Sequence, residues 1–441
     1  MISLQAAALA AGLAFGQVPS QDAPAAQAAA PAGVVTLDEA LALAKERNLD
    51  LKVIRARLDQ ADELSWKAWS RYLPQVSAVG AWQQQHETLL PAGVLGPDPV
   101  AIQPGEIMQG QIEATQMIFS PALIFGIRAA MKAEEAATLS LGEGRRALLF
   151  GVASTYYAAA SLKQAVGVNG RLLEIAQRSE KDARVRFQAG TIAKVALLRA
   201  EIDRARAEQD LKRARNAFQS ARLALATLLD RAADFDVADP PSPPVPEDRE
   251  GETLVRMALQ NRQDVRAARA QIAAARATRN VAIGRYFPNV GAFLREQRAD
   301  AAGLTGAKNW AAGLQLQWQI LDGGLRESDL REGNARIAEA EAASRSTEAK
   351  ARQEVLQALL DLDSARANAA KAKEQRDLAT ENLRLVDVSY RAGAATAVEL
   401  ADATAALRTA ESSFTAETLG AQLAALRVLQ VTGEFEPGKA R

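Results

Sequence analysis

The sequence predicts a mainly α-helical chain with a membrane β-barrel portion, built from a helix, strand, strand, long helix, helix unit used twice. Three observations predict it. First, landmarks recur at one spacing: Asp50 and Tyr72-Leu73-Pro74-Gln75-Val76 are answered by Asp264 and Tyr286-Phe287-Pro288-Asn289-Val290, each 214 residues on, the mark of a repeated supersecondary unit. Second, 48% of the 441 residues are hydrophobic but only 5% are aromatic, a balance that favours long Ala-rich helices over a globular enzyme core. Third, short segments alternate between apolar and polar residues, while no segment past the N-terminus offers the roughly 20 uninterrupted apolar residues of a membrane-spanning helix. Any membrane crossing therefore falls to strands.

The first residues, Met1 to about Gly16, form a small-residue apolar run followed by a Pro/Ala/Gln stretch, and residues 1–35 are expected to be a secretory signal peptide and disordered lead-in. The first repeat is assigned to 36–230. Thr36 and Glu39 form a capping pair opening a helix of about 35 residues that stops before Pro74. Strands are expected over about 75–86 and 107–119, joined by a Pro/Gly-rich loop. Ser120 followed by Pro121 starts a helix with no strong breaker until Gly190, about 100 Å at 1.5 Å per residue. A return helix runs to Asp230, and a Pro-rich linker over 231–250 separates the repeats. The second repeat, 251–433, has helix 252–285, strands near 289–298 and 309–320, a long helix over about 324–391 and a return helix over about 396–431, with a C-terminal tail over 434–441. In each repeat the two shorter helices together match the long one, so stacked end to end they would run beside it as a second column.

Leu314, Leu316, Trp318 and Ile320 fall on one strand face with Gln315, Gln317 and Gln319 on the other, as a wall between lipid and water requires. A soluble sheet covering a core would show the same alternation. The return helices carry apolar stripes, Val195, Leu198, Ile202 and Ala205 in one and Leu400, Ala403, Leu407, Ala410 and Phe414 in the other, the spacing of a side-by-side helix seam. A coiled-coil scaffold protein would carry such stripes equally well.

Composition removes several functions. Lys+Arg and Asp+Glu are equal at 53, so no net positive field gathers nucleic acid. The chain has no Cys and one His, His86, which excludes cysteine nucleophiles, disulfides and Cys/His zinc sites. No glycine-rich phosphate loop is present, and neither catalytic residues, cofactor nor metal is expected.

The duplicated plan, the Tyr-x-Pro-x-Val leads into strands at Tyr72 and Tyr286, and the aromatic-x-Ala-Gly turns at Phe187 and Tyr390 together resemble the TolC family of outer-membrane efflux proteins, over about Thr36 to Gly433. The resemblance implies a homotrimer whose strands form a 12-stranded barrel in outer-membrane lipid, continued by a long α-helical barrel into the periplasm of a Gram-negative bacterium. It also implies docking to a periplasmic adaptor protein and an inner-membrane pump, and a passive duct exporting small molecules or proteins. Carried over residue by residue, the family's acidic pore constriction falls on Glu399 and Asp402, three apart on one helix face, where an ordinary solvated acidic face is the alternative. Its periplasmic tip turns and adaptor contacts fall on Phe187, Gly190, Thr191, Tyr390, Gly393 and Ala394. The latch positions of the best-known member hold Ala196 and Ala395, so this chain departs from that pattern.

Overall fold

The computed structural model describes residues 33–86, 88–90, 100–103, 106–244, 250–301 and 308–435; the expected signal peptide and most of the expected C-terminal tail lie outside them. In chain order the elements are β1 (Val34–Val35), α1 (Leu37–Arg47), α2 (Leu49–Ser70), β2 (Gln75–Gln84), β3 (Thr88–Leu90), β4 (Val100–Gln103), β5 (Glu106–Phe119) and α3 (Pro121–Gln188). They continue with α4 (Lys194–Leu228), β6 (Asp236–Val237), α5 (Gly251–Asn261), α6 (Gln263–Gly284), β7 (Asn289–Ala301), β8 (Lys308–Gln317), α7 (Leu325–Arg391) and α8 (Ala397–Thr432). The fold is mainly helical, and its unit occurs twice.

Helix starts follow local chemistry. Thr36 and Glu39 make the reciprocal capping box that opens α1. Ser120 accepts from Leu123 N at 3.3 Å with Pro121 in the first turn of α3. The single helix expected from Thr36 is two helices. Asn48 leaves helical geometry (φ −52°, ψ 126°), caps α2 by accepting from Leu51 N at 2.9 Å, and donates to Leu228 O at 2.8 Å. That last bond butts the start of α2 against the end of α4. The helix expected over 252–285 breaks in the same way at Arg262. There Gly433, with φ 81°, ends α8 so close to Asn261 that an added Cβ would stand 2.9 Å from the Asn261 Cβ. Each short column is therefore two helices end to end, α4 with α2 and α8 with α6, beside the 68-residue α3 and the 67-residue α7. The breaks exist because α1 and α5 leave the columns to cover the junction.

A core fills that junction. Tyr156 and Tyr157 of α3 are fully buried among Leu41, Leu225, Phe235 and Leu426. The Tyr156 hydroxyl donates to a backbone carbonyl, being 2.8 Å from Val35 O and 2.9 Å from Ala238 O, and burial pushes its pKa up. These carbonyls flank β1 and β6, which pair in parallel. Val34 and Val35, expected in a disordered lead-in, and Asp236 and Val237, expected in a linker, thus form a two-stranded sheet on the core.

The four long strands form one antiparallel sheet in the order β2-β5-β7-β8. Registers set the faces, because directly paired residues share one. Trp82 pairs Met108, Ala78 pairs Ile112, Ala114 pairs Leu294, and Leu294 pairs Ala312, making one face apolar. Gln75 pairs Thr115, Glu113 pairs Arg295, and Gln315 pairs Gly291 on the polar face. β8 ends at Gln317, so Trp318 and Ile320 lie beyond the strand expected to hold them. β7 instead runs on to Ala301, and a small β3–β4 hairpin extends past the first strand pair. The Pro/Gly-rich loop between those strands falls mostly outside the described residues. Exposed tryptophans mark the apolar face, with Trp82 and Trp310 toward one end and Trp318 just beyond the other. Among the described residues no helix is long and apolar enough to cross a membrane.

The two seam stripes behave differently. In α8, Leu400, Ala403, Leu407 and Ala410 are buried, and Phe414 lies under the Arg376 guanidinium at 4.1 Å. In α4, Val195, Leu198 and Ile202 are 60%, 45% and 51% exposed, so the expected seam is open. The reason is position: α8 packs between α3 and α7, whereas α4 packs along α3 and has only slight contact with α8.

Candidate functional site: the helical tip and the barrel interior

Two turns close the long helices at one end of the molecule. Gly190 and Gly393 adopt φ of 73° and 79°, the left-handed region that other residues enter at a cost. Backbone bonds then cap both helix ends, Thr191 N donating to Arg186 O at 2.9 Å and Ala394 N to Ser389 O at 2.8 Å. Thr191 adds its hydroxyl to Arg186 O at 2.9 Å.

The aromatics of the two turns part company. Phe187 is exposed, while Tyr390 is 6% exposed and packed with Leu172, Leu383, Leu400 and Leu407. Above the Tyr390 ring lies Arg186, 4.5 Å from its centroid, donating to Tyr390 O at 3.2 Å and Arg391 O at 3.5 Å. Arg186 thus joins the two hairpins at their tips through stacking and hydrogen bonds to two carbonyls at the end of α7. Sequence reasoning missed it. Its one signal is an Arg directly before Phe187, where the second repeat has Ser389. Ala196 lines a small cavity with Tyr390, and Ala395 packs beside the same apolar cluster; two methyl groups form no ion pair.

Glu399 and Asp402 are both exposed on α8, yet differ in state. Glu399 is the third residue of the helix and completes a capping box, accepting from Thr396 N at 2.6 Å and Thr396 Oγ1 at 3.0 Å. Those bonds from Thr396 hold its carboxyl below the usual range. Asp402 makes no hydrogen bond or ion pair among the described residues. It shares its face with Ala406 and Thr409, both exposed. The first repeat lacks the pair: the shift of 203 residues that aligns Gly190 with Gly393 puts Ala196 and Arg199 there, and α4 starts on Ala193 with no side-chain cap.

At the other end, the polar sheet face opens into a cavity of about 600 Å³ at the base of the strands, lined by Gln75, Thr115, Gln315 and Gln317 among others. Arg71, Glu113 and Arg295 carry its charges, Arg295 donating to Glu113 at 2.8 Å and Gln111 to the same carboxylate at 3.1 Å. The arrangement is a polar, hydrogen-bonding wall with a small excess of positive charge, backed by an apolar one.

Residues 40–231 and 254–434 match the family model described as outer membrane efflux protein. Among curated proteins, Protein CyaE of Bordetella pertussis (strain Tohama I) is 29% identical over 262 residues, covering 58% of this chain and 55% of its own length; the chain thus aligns with about half of that relative. Among solved structures, the outer membrane protein VceC of Vibrio cholerae superposes with a TM-score of 0.73 at 18% identity, over 90% of this chain and 96% of that one. The open state of the MtrE outer membrane channel of Neisseria gonorrhoeae gives 0.71 at 20% identity, over 90% and 88%.

Proposed function

Given that the chain belongs to the outer membrane efflux protein family, with its sheet in the outer membrane and its helices in the periplasm, we propose that it is the passive exit duct of a tripartite efflux or secretion system. The observation that carries this reading is the sheet. It has an apolar face, a polar face and two edges, β2 and β8, with no partner among the described residues. Unpaired backbone N–H and C=O groups cost several kcal/mol each in lipid, so such a sheet must close. Four strands are too few, since the smallest membrane barrels take about eight. Three copies joined β8 to β2 make a 12-stranded barrel, the assembly the family implies, with apolar residues to lipid and the glutamine-rich face to the pore.

In that trimer the exposed stripe of α4 meets a neighbouring copy, and Asp402 repeats as a ring of three carboxylates. The ring attracts cations into a narrow passage. The turns bearing Phe187, Gly190, Thr191, Tyr390, Gly393 and Ala394 form the periplasmic tip, offered to an adaptor protein through which an inner-membrane pump supplies energy and substrate choice. No catalytic step belongs to the duct itself. The test is fractionation followed by gel mobility before and after boiling. Recovery with outer membranes as a heat-modifiable trimer is expected, whereas a soluble monomer obtained without detergent would refute the reading.

A further inference from the structure

A second cavity, of about 750 Å³, lies far from both the barrel and the tip, at the junction where α8 ends and α6 begins. Four cations line it: Lys45 of α1, Arg145 and Arg146 of α3, and Arg266 of α6. One carboxylate, Glu434, shares the lining. Arg146 is 3.8 Å from Glu143, but the exposed side chains of Arg145 and Arg266 make no ion pair or hydrogen bond among the described residues. Like charges gathered on one concave surface repel, a cost that a bound anion relieves.

The duplication supplies an internal control. The shift of 203 residues that aligns the two tip glycines places Glu348 where the first repeat has Arg145, and Glu348 is neutralised by Arg269 at 2.8 Å. The second repeat therefore pairs its charge where the first leaves a guanidinium open. The floor of the cavity is also shaped. Gln263 lies flat on α3 at Gly142, its Oε1 1.8 Å from where a Cβ would stand, so a side chain at 142 would displace the amide. Asn261, Gln260 and Gln263 add neutral amide donors to the rim.

We propose that this inter-repeat cavity is a binding site for a multivalent oxyanion of the periplasm, carrying carboxylate or phosphate groups close enough to engage Arg145 and Arg266 together. Guanidinium forks suit both groups, binding either by two parallel hydrogen bonds. Lipid headgroups are out of reach: Arg145 lies 24 residues along α3 from Pro121, roughly 36 Å at 1.5 Å per residue, against a headgroup zone under about 10 Å deep. The cavity lies between the two repeats of one chain, away from the α4 and α7 flanks, so each copy carries its own site.

The experiment is isothermal titration of the full-length, detergent-solubilised protein at low ionic strength with two probes, citrate for carboxylates and pyrophosphate for phosphates. Saturable binding of at least one probe, at one site per chain and weakening with salt, is expected. R145Q with R266Q should weaken it by about tenfold or more, while R269Q in the second repeat, which removes a cation outside the cavity, leaves it unchanged. Gel mobility before and after boiling confirms that each variant assembles. No saturable binding of either probe, binding unaltered in the double variant, or equal loss in R269Q would overturn the site.

Discussion

Among the described residues nothing holds the Asp402 carboxylate, whereas Glu399, one turn earlier, is fully engaged with Thr396. The two are therefore unequal in what they offer a passing ion. D402N alone should remove most of the cation preference seen in planar-bilayer recordings and relieve block by multivalent cations, whereas E399Q should change selectivity little; the reverse ranking would place Asp402 outside the passage. A pH effect of opposite location is expected at Arg262, whose side chain bonds Asp264 at 2.7 Å and Glu354 at 2.7 Å. Burial alone would raise the Asp264 pKa, but the bonds and charge of Arg262 outweigh it and leave it lowered. A lowered folded-state pKa means that this stabilisation is complete above the ordinary carboxylate range near 4 and is lost as pH falls through the folded value. R262A should cost about 2 to 4 kcal/mol, below the full range for breaking a buried pair because Glu354 is partly solvated, and should flatten the acid limb of a thermal-stability profile below about pH 4. Single residues were legible where backbone geometry alone dictates them, as with Gly190, Gly393 and Ser120. Arg186 was not, because the ring it covers lies 204 residues on.

Helices and strands show a similar division. Periodicity and breakers located all four long strands and both long helices, since each depends on its own residues. The sequence marks helical stretches opening at Asn48 and Gln263 but not that the preceding helix breaks there, because what ends that helix is a distant neighbour. Asn48 is satisfied only by capping α2 and reaching the α4 end at once. N48A loses both bonds and should cost about 1 to 2 kcal/mol. The expected readout is a lower melting temperature together with faster proteolysis around residues 229–235, and equal protease resistance would show that the helix ends do not depend on each other. The strand ends likewise follow their partners: β7 extends to Ala301 because Ile107 pairs it there, a register no single strand announces.

For the whole molecule, the α4 stripe is the strongest sign that the single chain is incomplete. V195S, L198S and I202S together remove apolar side chains already exposed in the chain, so monomer folding should be nearly unaffected. If another copy covers them, the heat-modifiable trimer should weaken and dissociate at lower temperature; an unchanged dissociation temperature would mean that they face solvent. The apolar pattern of these residues was visible in the sequence, but not which helix flank would lack a neighbour, since that depends on the order in which all four columns pack. The end-to-end joints in the short columns have a mechanical consequence. At the height of the α1 and α5 belt, α4 abuts α2 and α8 abuts α6, while α3 and α7 pass through unbroken. A butt joint bears compression but little tension or bending, so any twist applied at the tip travels to the membrane along α3 and α7 alone, two continuous splints across an articulated shaft.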